Sequence, residues 1–217
     1  MTTFIQTAMF IFGFWFATLS HAAEFFILPG TTTLLMLGET SANDVSALEE
    51  AVKNNQVDAI VLRGPGGNLD AAFAMADTIM AHQISTMIPK NTDCASACSL
   101  MFLAGATRTM EEGARLGFHL PFLSNEASDQ DYKQLCSALD IREKHVNNFI
   151  NPQVISKNCA MRIYQMGLRD IRKLNSLVVR DGISDEVMKI IIQTPPDDMT
   201  WVDLRRAAQL SIIPPRN

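Results

Sequence analysis

From residue 32 to residue 122 the chain alternates two hydrophobic rhythms. "TTLLMLGET" (32–40) is a short apolar run closed by a glycine turn, which predicts a strand. "SANDVSALEEAVKN" follows, with Val45, Leu48 and Val52 at helical spacing and Ser41 or Asn43 as candidate caps. "VDAIVLRG" (57–64) is continuous and β-branched, as in a strand buried on both faces. "NLDAAFAMADTIMAHQ" (68–83) carries Leu69, Ala72, Phe73, Ala76, Ile79 and Met80, an apolar stripe at i, i+3, i+4. "ISTMIPK" predicts another strand, "SACSLMFLAGATR" another helix, and "ARLGFHLPF" a returning strand. This alternation predicts stacked β–α units and a largely parallel sheet.

The rhythm changes after Phe122. "LSNEASDQDYKQ" is polar and loop-like; Leu135, Leu139, Val146, Phe149 and Ile150 then mark a helix that "NPQ" breaks. "VISKNCAMRIYQMGL" predicts a second helix. "SDEVMKIIIQ" (184–193) predicts a third, with Ser184 as cap and Asp185 and Glu186 in its first turn. "TPPDDMTWVDLRRAAQLSII" follows these helices. Residues 127–193 thus form a helical segment inside one domain spanning 23–217.

The first 22 residues do not fit that domain. No charged side chain precedes Glu24, and the apolar core from Ala8 to Leu19 has the length of a signal-peptide h-region, short for a membrane span. Ser20-His21-Ala22 supplies small residues where a signal peptidase reads, which predicts cleavage after Ala22 or Ala23 and a periplasmic or secreted protein. The alternative is an uncleaved leader that anchors the chain to a membrane.

Export changes how four cysteines read. In an oxidising compartment an even count implies disulfides, and proximity favours Cys94–Cys98 and Cys136–Cys159. Their spacing is not that of a zinc site, so no metal is expected. The formal net charge of −5 and the absence of a basic run argue against nucleic acid as a partner. His82 and His145 read as surface or packing residues, and Trp201 as a core or interface filler. Arg63, Arg108 and Arg115 flank the chemistry described next.

Two junctions could carry that chemistry. In "RGPGGNLDAA" two adjacent glycines follow a buried strand and open a helix, where main-chain amides can approach an oxyanion or a phosphate. The dinucleotide and Walker patterns are absent from it. In "NTDCASACSLMFLAGATR" (91–108), Ser96 stands between two cysteines at a junction of strand, turn and helix start, with the N–H of Ala97 just behind it. "GFHLP" puts His119 at a strand end 23 residues further on. Serine beside a neutral imidazole is the pair that acyl transfer requires, although a serine there can be only a cap and a histidine only a packed residue.

In order and spacing these stretches resemble the proteolytic subunit of Clp protease, within the ClpP/crotonase superfamily. That family has a strand ending in Ser-Pro-Gly-Gly, a helix, a short strand, a nucleophilic serine in a small-residue turn, and a strand ending in histidine-x-proline. Here the matching residues are Gly64-Pro65-Gly66-Gly67, Ala95-Ser96-Ala97 and His119-Leu120-Pro121, and "WVDLRRAAQLSII" resembles the family's closing segment. The resemblance implies an α/β fold of stacked β-β-α units with a mainly parallel sheet, here with a remodelled helical C-terminal part. It implies Ser96 as nucleophile, His119 as general base, and the N–H groups of Gly67 and Ala97 as oxyanion hole. Asp197 is the carboxylate nearest the family's third position, with Asp198 and Thr194 beside it. No cofactor is implied, and oligomers are common in the fold. The family's ATPase partner is not expected for an exported chain, which has no ATP.

Three functions remain open on sequence. The first is an exported serine hydrolase acting on peptides or proteins. The second is a catalytically silent member that binds a partner in the same cleft. The third is a crotonase-like acyl-CoA enzyme, which leaves Ser96 and His119 unexplained.

Overall fold

One long strand organises the molecule, seen here in a computed structural model that describes residues 22–121, 157–179 and 182–214. That strand is β3 (Ala59–Gly67). Strands β1 (Glu24–Ile27) and β2 (Thr33–Thr40) precede it, with helix α1 (Asp44–Asn55) between β2 and β3. After it come α2 (Leu69–Ala81), β4 (Ser85–Ile88), β5 (Asp93–Ala95), α3 (Ala97–Leu103), β6 (Arg108–Met110) and β7 (Arg115–Phe118). The later described elements are α4 (Lys157–Val178), α5 (Glu186–Gln193), β8 (Thr200–Asp203) and α6 (Leu204–Gln209).

β3 has two sets of neighbours. Along most of its length it runs parallel to β2, and residues 59–61 also run parallel to β4, which continues to β6. Further on, Gly64 pairs with Cys94 of β5, and β5 runs parallel to β7. Only β1 on β2 and β8 on β7 are antiparallel among the described strands. The sheet is therefore mainly parallel, as the β–α alternation predicts.

Burial follows the sequence rhythm. Ile60, Val61 and Leu62 of β3 are buried. Helix α2 turns Ala72, Phe73, Ala76 and Ile79 inward, and every residue of α3 is buried. Each large apolar side chain removed from water contributes on the order of 1.5–3 kcal/mol, so α3 is held by packing far more than by its two turns of hydrogen bonds. From the helical segment, Leu174, Leu177 and Val178 of α4 and Val187 and Ile191 of α5 join the same core.

Several expectations needed correction. The strand predicted over 57–64 extends through both glycines. The strand expected before Ser96 is the three-residue β5, and the helix predicted over 96–108 ends at Leu103, with Arg108 already in the three-residue strand β6. Neither Ser41 nor Asn43 caps α1 through its side chain; the Asp44 carboxylate instead accepts the N–H of Ser41. Ser184 does accept the N–H of Glu186, although the helix proper starts two residues after it. Arg108 is buried and does not flank the cleft: its Nε donates to the Ile212 carbonyl at 2.6 Å and its Nη1 to that of Gly105 at 3.0 Å. Trp201 is 41% exposed rather than core, and the Arg115 guanidinium stacks 4.5 Å above its ring. The predicted helix over 135–150 and His145 lie outside the described residues.

Candidate active site

Strand register assembles the site. Gly64 pairs with Cys94, and Cys94 with Leu116, across three parallel strands. Two or three residues beyond that row, the strands end at Gly66-Gly67, Ser96 and His119. Parallel sheets offer their ligand sites at such carboxyl ends, where the chain leaves each strand and backbone groups become free.

Ser96 occupies the turn between β5 and α3 with φ +54° and ψ −123°. A non-glycine residue there carries strain of about 1–3 kcal/mol and is held by its surroundings. The surroundings are specific. Ser96 N–H donates to the Gly117 carbonyl at 2.8 Å. Ser99 Oγ lies 2.6 Å from the Cys94 carbonyl and 2.9 Å from that of Gly117, and its one proton serves either. A disulfide joins Cys94 to Cys98, both buried, and closes the elbow around Ser96. Loop-closure entropy gives so short a ring about 2 kcal/mol, against nearly 5 for a 100-residue loop, so its main effect is local rigidity. The second expected bridge involves Cys136, which lies outside the described residues.

Gly66 makes this packing possible. Its φ is +103°, and a Cβ there would stand 2.6 Å from the Ser96 Cβ, 2.7 Å from the Ala95 carbonyl oxygen and 2.9 Å from the Ala97 nitrogen. The main chain of the glycine turn thus lies directly on the elbow. Just beyond, Asn68 caps α2, its Oδ1 accepting the N–H of Ala71 at 2.8 Å. The Ser96 side chain caps nothing.

His119 meets Ser96 from the other side. Its Nε2 is 2.7 Å from Ser96 Oγ. Its Nδ1 is 3.0 Å from the Leu120 carbonyl oxygen. A carbonyl only accepts, so in the neutral ring this contact puts the proton on Nδ1 and leaves the Nε2 lone pair facing the serine hydroxyl. That is the tautomer a general base needs.

Asp197 is not brought to His119. The Thr194 carbonyl accepts the N–H of Leu120 at 2.9 Å, so the chain passes close to the histidine there. Pro195 and Pro196 then enforce a turn, closed by Asp198 N–H to the Pro195 carbonyl, and Asp197 is left exposed without a hydrogen bond to the ring. Asp198 accepts the N–H of Met199 instead. Arg63 and Arg115 are exposed, and no described arginine lines the cleft. Arg115 grips Asp93 through two bonds of 2.8 and 2.6 Å and, chiefly by those bonds, holds the Asp93 carboxyl below its ordinary range. This exposed pair joins register partners of β5 and β7 and, screened by solvent, adds little to stability.

Ser96, His119, Gly67 and Ala97 share one cavity of about 270 Å³ with Pro65, Leu69, Leu100, Phe118, Pro121 and Ile191. Sequence reasoning missed Ile191, which lies 72 residues beyond His119 and arrives because α5 docks through Thr194. Phe118 and Pro121 were within reach, since they flank His119.

The fold is therefore ClpP-like, an α/β architecture with a mainly parallel sheet and helices packed on it. No family model matches the chain, and no curated protein does. Solved structures do: 512 chains match. One of them is a serine-to-alanine mutant of the 1510-N membrane-bound stomatin-specific protease. It superposes with a TM-score of 0.55 at 16% identity, over 83% of this chain and 75% of that one. At that identity the likeness shows the fold alone. No described helix is long and apolar enough to cross a membrane.

Proposed function

We propose that this chain is an exported serine hydrolase, a peptidase, that works through Ser96 and His119. The observation that carries the reading is the 2.7 Å contact between Ser96 Oγ and His119 Nε2 at the wall of an apolar cavity. His119 takes the hydroxyl proton as Ser96 attacks the scissile carbonyl. The N–H groups of Gly67 and Ala97 hold the oxyanion, Ala97 being the first residue of α3 and so without an intrahelical partner. His119 returns the proton to the leaving amine, and water, deprotonated by the same ring, releases the acid. The chemistry calls for no cofactor, metal or ATPase. The Cys94–Cys98 bridge supports an oxidising compartment, which is where a cleaved leader would deliver the protein.

The cavity supports a substrate class. At about 270 Å³ it is below the usual range for small-molecule sites and suits one or two side chains. Leu69, Leu100, Phe118 and Ile191 offer it no charge. In a panel of fluorogenic peptides differing only before the scissile bond, kcat/KM is expected to favour leucine or methionine over lysine or aspartate by about 100-fold, since a buried unpaired charge is heavily penalised. Failure to hydrolyse any member would favour the silent binding protein.

Asp197→Asn is expected to change kcat/KM by less than about threefold. Losing the carboxylate of a working triad costs about 10⁴ in kcat. A loss above 100-fold would show that Asp197 reaches the ring during turnover.

A further inference from the structure

We infer that cleavage between Ala22 and Ala23 creates an α-ammonium that seats on the buried carboxylate of Asp44, so that removal of the leader completes the fold behind the glycine turn. The inference rests on the export reading above and concerns a place that the catalytic chemistry does not use. Asp44, the first residue of α1, is 2% exposed. Its Oδ2 accepts the N–H of Ser41 at 2.6 Å and that of Ala23 at 3.3 Å. No cationic side chain pairs with it among the described residues. A buried carboxylate that meets only neutral donors is an expensive arrangement, and a cation in contact offsets it.

Three further observations select the nitrogen of Ala23 as that cation. First, Ala22 is exposed, with its backbone bridging Glu39, and Ala23 is buried, so a buried nitrogen directly follows the small-x-small signal Ser20-His21-Ala22. Second, Thr40 Oγ1 and Ser41 Oγ, on the segment that faces Asp44, are buried without a hydrogen-bond partner among the described residues. An ammonium carries three donors where a peptide amide carries one. Third, this segment abuts the site. Thr40 pairs with Gly67 in the β2–β3 register, and its carbonyl accepts the N–H of Asn68 at 2.8 Å. The covalent step is ordinary hydrolysis. Water breaks the Ala22–Ala23 amide, Ala22 leaves as a carboxylate, and the new amine of Ala23 takes up a proton.

The test begins with the intact mass of the exported protein, which is expected to correspond to a chain starting at Ala23. A retained leader, or removal at another bond, overturns the export reading or the position of the cut, and this inference with either. Next, protein starting at Ala23 is compared with protein carrying Gly-Ser before it, each with Asp44 or with Asp44→Asn. Ala22 is exposed but bridges Glu39 through its backbone, so the added residues restore that pairing in both backgrounds, and the difference between the two backgrounds isolates the charge. The extension is expected to lower Tm by about 5 °C with Asp44 and by less than about 1 °C with Asp44→Asn. No shift with Asp44, or an equal shift in both backgrounds, overturns the ion pair while leaving the export reading intact. If Asp44→Asn does not fold, acetylation of the Ala23 α-amine replaces it: a similar loss in Tm supports the pair, and an unchanged Tm overturns it.

Discussion

Ser96→Ala is expected to lower kcat for peptide hydrolysis by at least 10³-fold while leaving Tm within about 2 °C of the parent. The nucleophile of a serine hydrolase works as a unit with its base, so removing either costs nearly the whole covalent route. His119→Ala is therefore expected to fall to the same level, and the double variant no lower. Stability is spared because the hydroxyl holds nothing structural: it caps no helix, and its one contact is with His119. The backbone strain at φ +54° is the same for alanine as for serine. Kinetics and a thermal melt on the three variants check this. A Ser96→Ala protein retaining more than a tenth of wild-type turnover would remove the serine from the chemistry.

The second large effect is at Gly66. Gly66→Ala is expected to lower kcat/KM by 10²-fold or more and to destabilise the fold by about 3 kcal/mol, or roughly 6–12 °C in Tm for a chain of this size. Two costs add. An L-residue is forced to φ +103°, and its Cβ is pressed against three backbone-anchored atoms of the Ser96 elbow, all within 2.9 Å. None of these is the end of a flexible side chain, so relief requires moving the elbow. Because Ser96 Oγ must keep its 2.7 Å contact with His119, a shift of half an ångström is felt in the rate. Urea unfolding separates the two effects. Full activity with unchanged stability would mean that the glycine turn does not pack on the nucleophile as described.

Much of this was legible from residue order. The buried strand of 57–64 and the stripe of 68–83 could not be mistaken, because eight or more residues kept one rhythm. The small-residue elbow also announced itself: Ala95, Ala97 and Ser99 leave room for strand, helix and glycine turn to meet. Short elements were hard to bound, and β6 was hidden inside the helix predicted over 96–108. β5 and β6 have three residues each and exist because β3 and β7, or β4, offer them partners. The positive φ of Ser96 was invisible too, since serine has no preference for it and only tertiary packing enforces it. Arg108 was misplaced because its partners are the carbonyls of Gly105 and Ile212, which no charge pattern reveals. Asp197 was misplaced by a counting rule: it lies near the right position in the chain, but the two prolines before it turn it outward. Ile191 could not be found at all, because its arrival depends on how α5 docks against the segment that follows His119.

The most direct test of the central claim is reaction of the intact protein with a fluorophosphonate, followed by peptide mass spectrometry. A serine hydroxyl activated by an adjacent imidazole and facing an oxyanion hole is expected to form one stoichiometric adduct on Ser96, absent from His119→Ala. No adduct, or an adduct on any other residue, would contradict the account.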